Sequence, residues 1–159
     1  MLNAQAELSR GWTIHQQQRP REAEQIYRRV IAAEPSNSAA WCYLGIALHD
    51  QRQFAEAVES YRHALKLQPQ FPIALNNLGN SLRYVGEVEE ADRCFEEAIR
   101  QRPNYLNAYK NRGTLHVWTG SLERGLQWYE RALEIDPNEA ELHRNLGVIY
   151  CCKAALGEG

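Results

Sequence analysis

Apolar residues recur at spacings of three and four along most of the chain, in stretches separated by short polar breaks. Trp41, Leu44, Gly45 and Leu48 form one such stripe; Ala57, Val58, Tyr61, Ala64 and Leu65 form the next, with the polar turn HDQRQF between them. Stripes of this kind predict amphipathic helices packed in pairs. The pattern then repeats. Prolines stand at Pro35, Pro69, Pro103 and Pro137, glycines at Gly11, Gly45, Gly79, Gly113 and Gly147, and aromatics at Tyr27, Tyr61, Phe95 and Tyr129, always 34 residues apart. Small residues keep the step at Ala23, Ala57, Ala91 and Gly125, and a further column runs through Val30, Ala64, Ala98 and Ala132. Five columns in one register identify a tandem repeat.

The spacing predicts first helices over 4–17, 38–51, 72–85, 106–119 and 140–153, and second helices over 20–33, 54–67, 88–101 and 122–135. Gly86 and Gly120 fall in the turn within a pair, where a positive φ is often needed, and proline stops each second helix. Turns this short force antiparallel pairs, which stack as a solenoid. The expected organisation is one all-α domain over 4–153, with repeats 4–37, 38–71, 72–105 and 106–139, a half repeat 140–153 and a tail 154–159. A mid-helix glycine costs about 1 kcal/mol of helix propensity, so its recurrence predicts close helix approach. The small column at Ala23, Ala57 and Ala91 is the expected facing surface, with the aromatics filling the space between units.

Residues 41–69, WCYLGIALHDQRQFAEAVESYRHALKLQP, resemble the tetratricopeptide repeat (TPR) closely, and residues 75–103 match as well. The resemblance spans residues 4–139 as four full repeats plus one additional helix. It looks like a bacterial-type array, and the third repeat resembles the TPR superhelix of O-linked N-acetylglucosamine transferases. It implies a right-handed solenoid whose first helices line a concave groove for extended or helical peptides. Departures are local. Glu7 and Arg10 replace Trp41 and Leu44 in the first repeat, as suits an outward-facing end, and Arg112, His116 and Gly125 predict looser packing in the fourth.

Positions counted from each glycine give the expected groove. Two before it stand Ser9, Tyr43, Asn77, Asn111 and Asn145; three before it, Leu8, Cys42, Asn76, Lys110 and Arg144; one after it, Trp12, Ile46, Asn80, Thr114 and Val148. Tyr84 and Trp118 lie farther along the same helices. The N-terminal half is thus expected to be more apolar and the C-terminal half rich in amides. An asparagine both donates and accepts, so Asn77, Asn111 and Asn145 would form a ladder gripping a peptide backbone without reading its sequence. The competing account makes the asparagines ties between repeats or helix caps, which fits Asn107 best. The resemblance also allows a test for the carboxylate clamp of chaperone-binding TPR domains. Starting one at Lys110 requires asparagine at Thr114 and a further helix, so binding to heat-shock protein tails is disfavoured; Lys110 and Arg144 remain able to attract an acidic ligand.

Composition adds little chemistry. A formal charge of −2 gives no reason to expect nucleic acid or an anionic membrane as partner. The sequence shows no secretion signal and no run of membrane-spanning length. Cys42, Cys94, Cys151 and Cys152 read as reduced thiols of a cytoplasmic protein, mostly packing residues, with a redox or metal role for the Cys151–Cys152 pair the less favoured alternative. His15 and His49 share a column without further ligands, which argues for groove-edge histidines with ordinary titration and no metal. No nucleophile elbow, phosphate loop or zinc motif is present, so no catalytic residue and no cofactor are expected. The helix 140–153 keeps Leu142, Leu146, Ile149 and Tyr150 with no second helix after it. Either the chain continues in a longer protein, or this edge pairs with a second copy. The expected function is a protein-interaction module or scaffold. Its rivals are the substrate-docking arm of a glycosyltransferase-like enzyme and a self-assembling scaffold.

Overall fold

The computed structural model describes residues 3–155, and the elements among them are nine α-helices. They are α1 (Ala4–Gln16), α2 (Pro20–Ala33), α3 (Ser38–Asp50), α4 (Phe54–Leu67), α5 (Pro72–Val85), α6 (Val88–Gln101), α7 (Leu106–Trp118), α8 (Leu122–Ile135) and α9 (Ala140–Ala155). Five have the expected bounds, while α1, α3 and α7 stop one residue early. The ninth runs two residues past its expected end, into the expected tail, whose residues 156–159 lie outside the described ones.

Local chemistry sets the helix ends. Asn3 and Asn37 accept the backbone N–H groups of Ala6 and Ala40 at 3.1 and 3.0 Å, while Pro20 and Pro72 open α2 and α5 where a missing N–H costs nothing. Asn107 does not cap; Tyr105 precedes α7 and makes no side-chain cap bond. The turn within each pair uses one backbone conformation in all four repeats, with φ of +61° at Gln18, +62° at Arg52, +88° at Gly86 and +83° at Gly120. Glycine adopts it freely, whereas Gln18 and Arg52 hold it against a side-chain clash.

Each helix packs on its chain neighbours, and α1–α3, α3–α5 and α5–α7 also touch. No comparable contact joins successive second helices. The odd-numbered helices therefore form the tighter, inner wall and the even-numbered ones the outer wall. Ion pairs bridge the outer gaps, with Arg28–Glu56 at 3.6 Å and Arg62–Glu90 at 3.0 Å.

The nearest neighbours of the glycine column are the aromatic rings of its own repeat, and in the fourth repeat the small column also meets it, with the Gly125 carbonyl 3.3 Å from a Cβ placed on Gly113. A Cβ placed on Gly11, Gly45, Gly79 or Gly113 would lie 2.5 to 2.7 Å from the ring of Tyr27, Tyr61, Phe95 or Tyr129. The ring comes so close to the glycine that any side chain there would displace it. Gly125 brings α8 equally close to α7, because an added Cβ would meet Val117 at 2.5 Å and the Gly113 carbonyl at 3.1 Å. The fourth repeat is therefore not loose inside.

Contact between successive units thins towards the C-terminus: α6 and α7 meet less closely than α2–α3 or α4–α5, and α8 and α9 less closely again. The main core runs from α1 through α6 and reaches α7 at Leu115. A second core holds Tyr129 and Ala132 of α8 with Leu142, Leu146 and Ile149 of α9. Between them Arg112 binds Asp92 through two hydrogen bonds of 2.7 and 2.9 Å, and His116 approaches the same carboxylate at 3.3 Å. Burial alone would raise the Asp92 pKa; the Arg112 hydrogen bonds and charge, with His116, outweigh it and hold the carboxyl below its usual range.

Candidate functional site

Adjacent odd-numbered helices meet along the inner wall, and the column three before each glycine falls on that seam. Leu8, Cys42 and Asn76 are accordingly buried, which removes Asn76 from the expected groove surface. At 4% exposure it spends its amide on its neighbours: it accepts from Asn111 Nδ2 on α7 at 2.9 Å and donates to Asn77 Oδ1 at 3.2 Å. For Asn76 the inter-repeat tie is the correct account. Its buried column-mates Leu8 and Cys42 carried that signal in the sequence. Lys110, next in the column, is half-buried and ion-paired to Glu139 at 3.4 Å and to Glu141. Arg144 is exposed on α9.

One position along, Asn77, Asn111 and Asn145 are half-buried. Asn111 has given an N–H to Asn76. Thr114 meets the Tyr129 hydroxyl at 2.9 Å and also donates to the Lys110 carbonyl. Asn80 accepts from Arg83 at 3.2 Å. The polar groups of the C-terminal half therefore largely satisfy one another.

The aromatics of the N-terminal half form a packed run. Tyr43 stacks on Tyr27 with ring centroids 5.5 Å apart, and the half-exposed Trp12 lies 5.6 Å from Tyr43. Tyr84 stacks on Phe54 at 4.3 Å with the Arg83 guanidinium over its other side, and Trp118 stands free at 61% exposure. The two histidines of the shared column differ, since His15 is buried while His49 is half-buried at a cavity between α3 and α5. His15 pairs with Asp50 of the next repeat at 2.7 Å; His49 bonds Ser81 of the next repeat at 2.8 Å. Burial, aided by Arg83 and opposed by Asp50, holds His49 below the usual imidazole range, so its titration is not ordinary. Cys42 and Cys94 are buried, which pushes both thiols up to about 12. Cys151 is an exposed free thiol, while the Cys152 side chain lies outside the described residues.

Two cavities open side by side between α3 and α5. One, about 100 Å³, is lined by Ala39, Cys42, Tyr43, Ile46, Phe71 and Ile73. The other, about 240 Å³, is lined by Ile46, His49, Asp50, Tyr61, Asn77 and Asn80. Ile46 is their shared wall. Sequence columns found Tyr43, Ile46, Asn77 and Asn80 but missed Phe71 and Ile73, which flank Pro72 at the helix start and belong to no repeated column. Their signal was two apolar residues at a polar loop position.

The tetratricopeptide repeat family profile matches residues 15–72 and 76–140. No curated protein sequence matches the chain. Among solved structures, PilF of Pseudomonas aeruginosa is similar with 20% identity and a TM-score of 0.86, over 96% of this chain and 69% of that one. MamA of Desulfovibrio magneticus RS-1 shares 22% identity at a TM-score of 0.82, over 98% and 86%. YrrB, described as a TPR protein with an unusual peptide-binding site, shares 21% identity at 0.79, over 91% and 75%. At these identities the likeness is one of fold.

Proposed function

The chain belongs to the tetratricopeptide repeat family, and we propose that it is a protein-interaction module holding an extended peptide segment in its inner groove. One observation carries this reading: the adjoining apolar and polar cavities between α3 and α5, divided by Ile46. An extended chain points alternate side chains to one face about 6.6 Å apart. Two neighbouring cavities suit residues i and i+2 of such a segment, the first aliphatic and the second polar. Asn77 and Asn80, at the rim of the polar cavity, supply amides for the peptide backbone. Asn145 extends the ladder, and Asn111 and Thr114 do so with the capacity their internal bonds leave. Trp12, Tyr43, Tyr84 and Trp118 select side chains along the groove, with Lys110 and Arg144 setting the charge at its far end.

Magnitudes favour the cavities as the main source of affinity. A net 0.5–1.5 kcal/mol per hydrogen bond, over about three bonds, falls short of the roughly 8 kcal/mol of micromolar binding. Random-peptide display on the purified protein, followed by titration of the enriched sequences, tests the reading. The enriched peptides should carry an aliphatic residue two positions from a polar one. Asn77→Ala with Asn80→Ala should weaken them about tenfold, with a melting temperature lowered only as far as the lost Asn76–Asn77 bond requires. No enrichment, or a loss of stability with binding intact, rejects it.

The outer face of α9 favours a second reading, self-association. Gly147, unlike its column-mates, has nothing within 4 Å, and Val148 and Tyr150 beside it are 59% and 54% exposed. A helix of a second copy could seat an aromatic ring there. Light scattering that stays monomeric across a wide concentration range would exclude this.

A further inference from the structure

The junction between the third and fourth repeats has an outer cleft that the inner groove does not use. Its floor is Tyr109 and Trp128, one wall is the outer ridge of α6 and the other is Arg131 of α8, and its volume is about 690 Å³. One repeat earlier the same α6 columns are Glu59, Arg62, His63 and Lys66, and the cavity beside them is about 140 Å³. Three substitutions accompany the opening. Arg112 replaces the buried Leu44 and Leu78, Asp92 replaces the buried Val58, and Trp128 stands where Ile26, Ser60 and Cys94 are buried. In the second repeat Trp41 stacks on His63 with centroids 4.5 Å apart; their counterparts here are Tyr109 and Arg131, and Tyr109 turns instead towards Trp128 at 6.0 Å.

The charges in the cleft are unevenly spent. Arg112 is taken by Asp92 and lies 4.2 Å over the Trp128 ring, and Arg100 is taken by Glu97. Arg93 and Arg131 both line the cleft and form no ion pair among the described residues, and Arg131 lies 5.9 Å over the Trp128 ring. With the Arg112–Asp92 and Arg100–Glu97 pairs set aside, these two arginines stand against Glu96 alone, itself 3.9 Å from Arg112, in a chain whose net charge is −2. A half-buried ion pair where Val58 and Leu78 pack one repeat earlier brings little stability, and local breaches of a fold's rules concentrate at functional sites.

We propose that this outer cleft is a second binding site, for an acidic peptide segment of a partner protein. Its carboxylates pair with Arg93 and Arg131, where a guanidinium offers two parallel N–H donors. An apolar side chain between them lies on Trp128 and Tyr109. Glu96 and Glu97 in the same wall oppose a continuous run of phosphates and so disfavour nucleic acid.

The test is fluorescence anisotropy at low salt with a labelled, end-blocked peptide of sequence EDFEDLED, its uncharged counterpart QNFQNLQN, and an oligo-dT competitor. The acidic peptide should bind at least about tenfold more tightly than the uncharged one. Arg93→Gln with Arg131→Gln, both exposed positions, should remove that preference and leave the melting temperature unchanged. Asn77→Ala with Asn80→Ala should leave it intact, which separates this site from the inner groove. The proposal is overturned by absence of binding at millimolar peptide, by equal affinity for the two peptides, or by indifference to the arginine changes. It is also overturned if the Asn77 and Asn80 changes abolish binding, or if oligo-dT displaces the peptide more effectively than the unlabelled peptide does.

Discussion

Between the second and third repeats, Val58 of α4 and Leu78 of α5 are both buried in the main core; one repeat on, the same two columns hold Asp92 and Arg112. At the first junction these columns are apolar and the outer cavity is small. At the second they hold a hydrogen-bonded ion pair beside an open cleft, next to a small apolar cluster of Leu75, Ala98 and Ala108. Both positions stay mostly out of water, and the helices on either side keep their lengths. A repeat array therefore tolerates different chemistry at one seam because each unit touches only its neighbours. What changes at that seam is the surface it presents and the chemistry that joins the units.

Four changes break or sharpen this comparison. The largest effect belongs to Asp92→Ala, which leaves the 11%-exposed Arg112 guanidinium without its partner. A loss of about 2–3 kcal/mol is expected, below that of a fully buried pair because Asp92 keeps some solvent. Asp92→Val with Arg112→Leu, which copies the earlier junction, should recover that loss in a denaturant titration.

Next come the glycines of the well-packed and the unpartnered ends. Gly79→Ala drives a Cβ to 2.7 Å from the buried Phe95 ring and should cost about 1–3 kcal/mol. Gly147→Ala meets nothing and should gain up to about 1 kcal/mol of helix propensity. Equal melting shifts of one sign for the two would refute the packing account of the glycine column.

A smaller effect comes from pH. Burial, chiefly, depresses the pKa of His49 in the main core and of His116 at the ionic seam. The unfolded chain therefore takes up these protons first, so stability should be full above about pH 6.5 and decline as pH falls below it. Asp92, also depressed, adds its own loss only at lower pH, below its unfolded value of about 4. His49→Gln should flatten part of the first decline in thermal melts between neutral and mildly acidic pH; an unaltered slope would remove His49 from that account.

The smallest expected change is Arg52→Gly, which places glycine at the φ of +62° that Gly86 and Gly120 fill without strain. Relief of the left-handed strain should slightly exceed the added chain entropy, raising stability by about 0.5 kcal/mol. A melting point lowered by a degree or more would show that the Arg52 side chain contributes more than its backbone costs.

Much of this was legible beforehand. Proline, glycine and aromatic columns with a fixed step located every described helix to within two residues, because each column reports a local backbone requirement that does not depend on distant partners. The glycines showed that something approaches α1, α3, α5 and α7 closely; they could not say whether an alanine or a ring arrives. Asn76 was assigned to the groove because a column count gives a direction from one helix alone. Its burial follows from the neighbouring helix α7, whose Asn111 reaches back to it.

The sequence alone therefore determined the period, the helix pairs, the turns and the family, all of which arise from interactions within a few dozen residues. Only the tertiary structure decided which amides are spent between repeats, that Phe71 and Ile73 complete a cavity with Tyr43, and that the fourth repeat is tight inside while an outer cleft opens at its seam with the third. Those outcomes depend on where side chains from different repeats meet, and that is set by how the units stack.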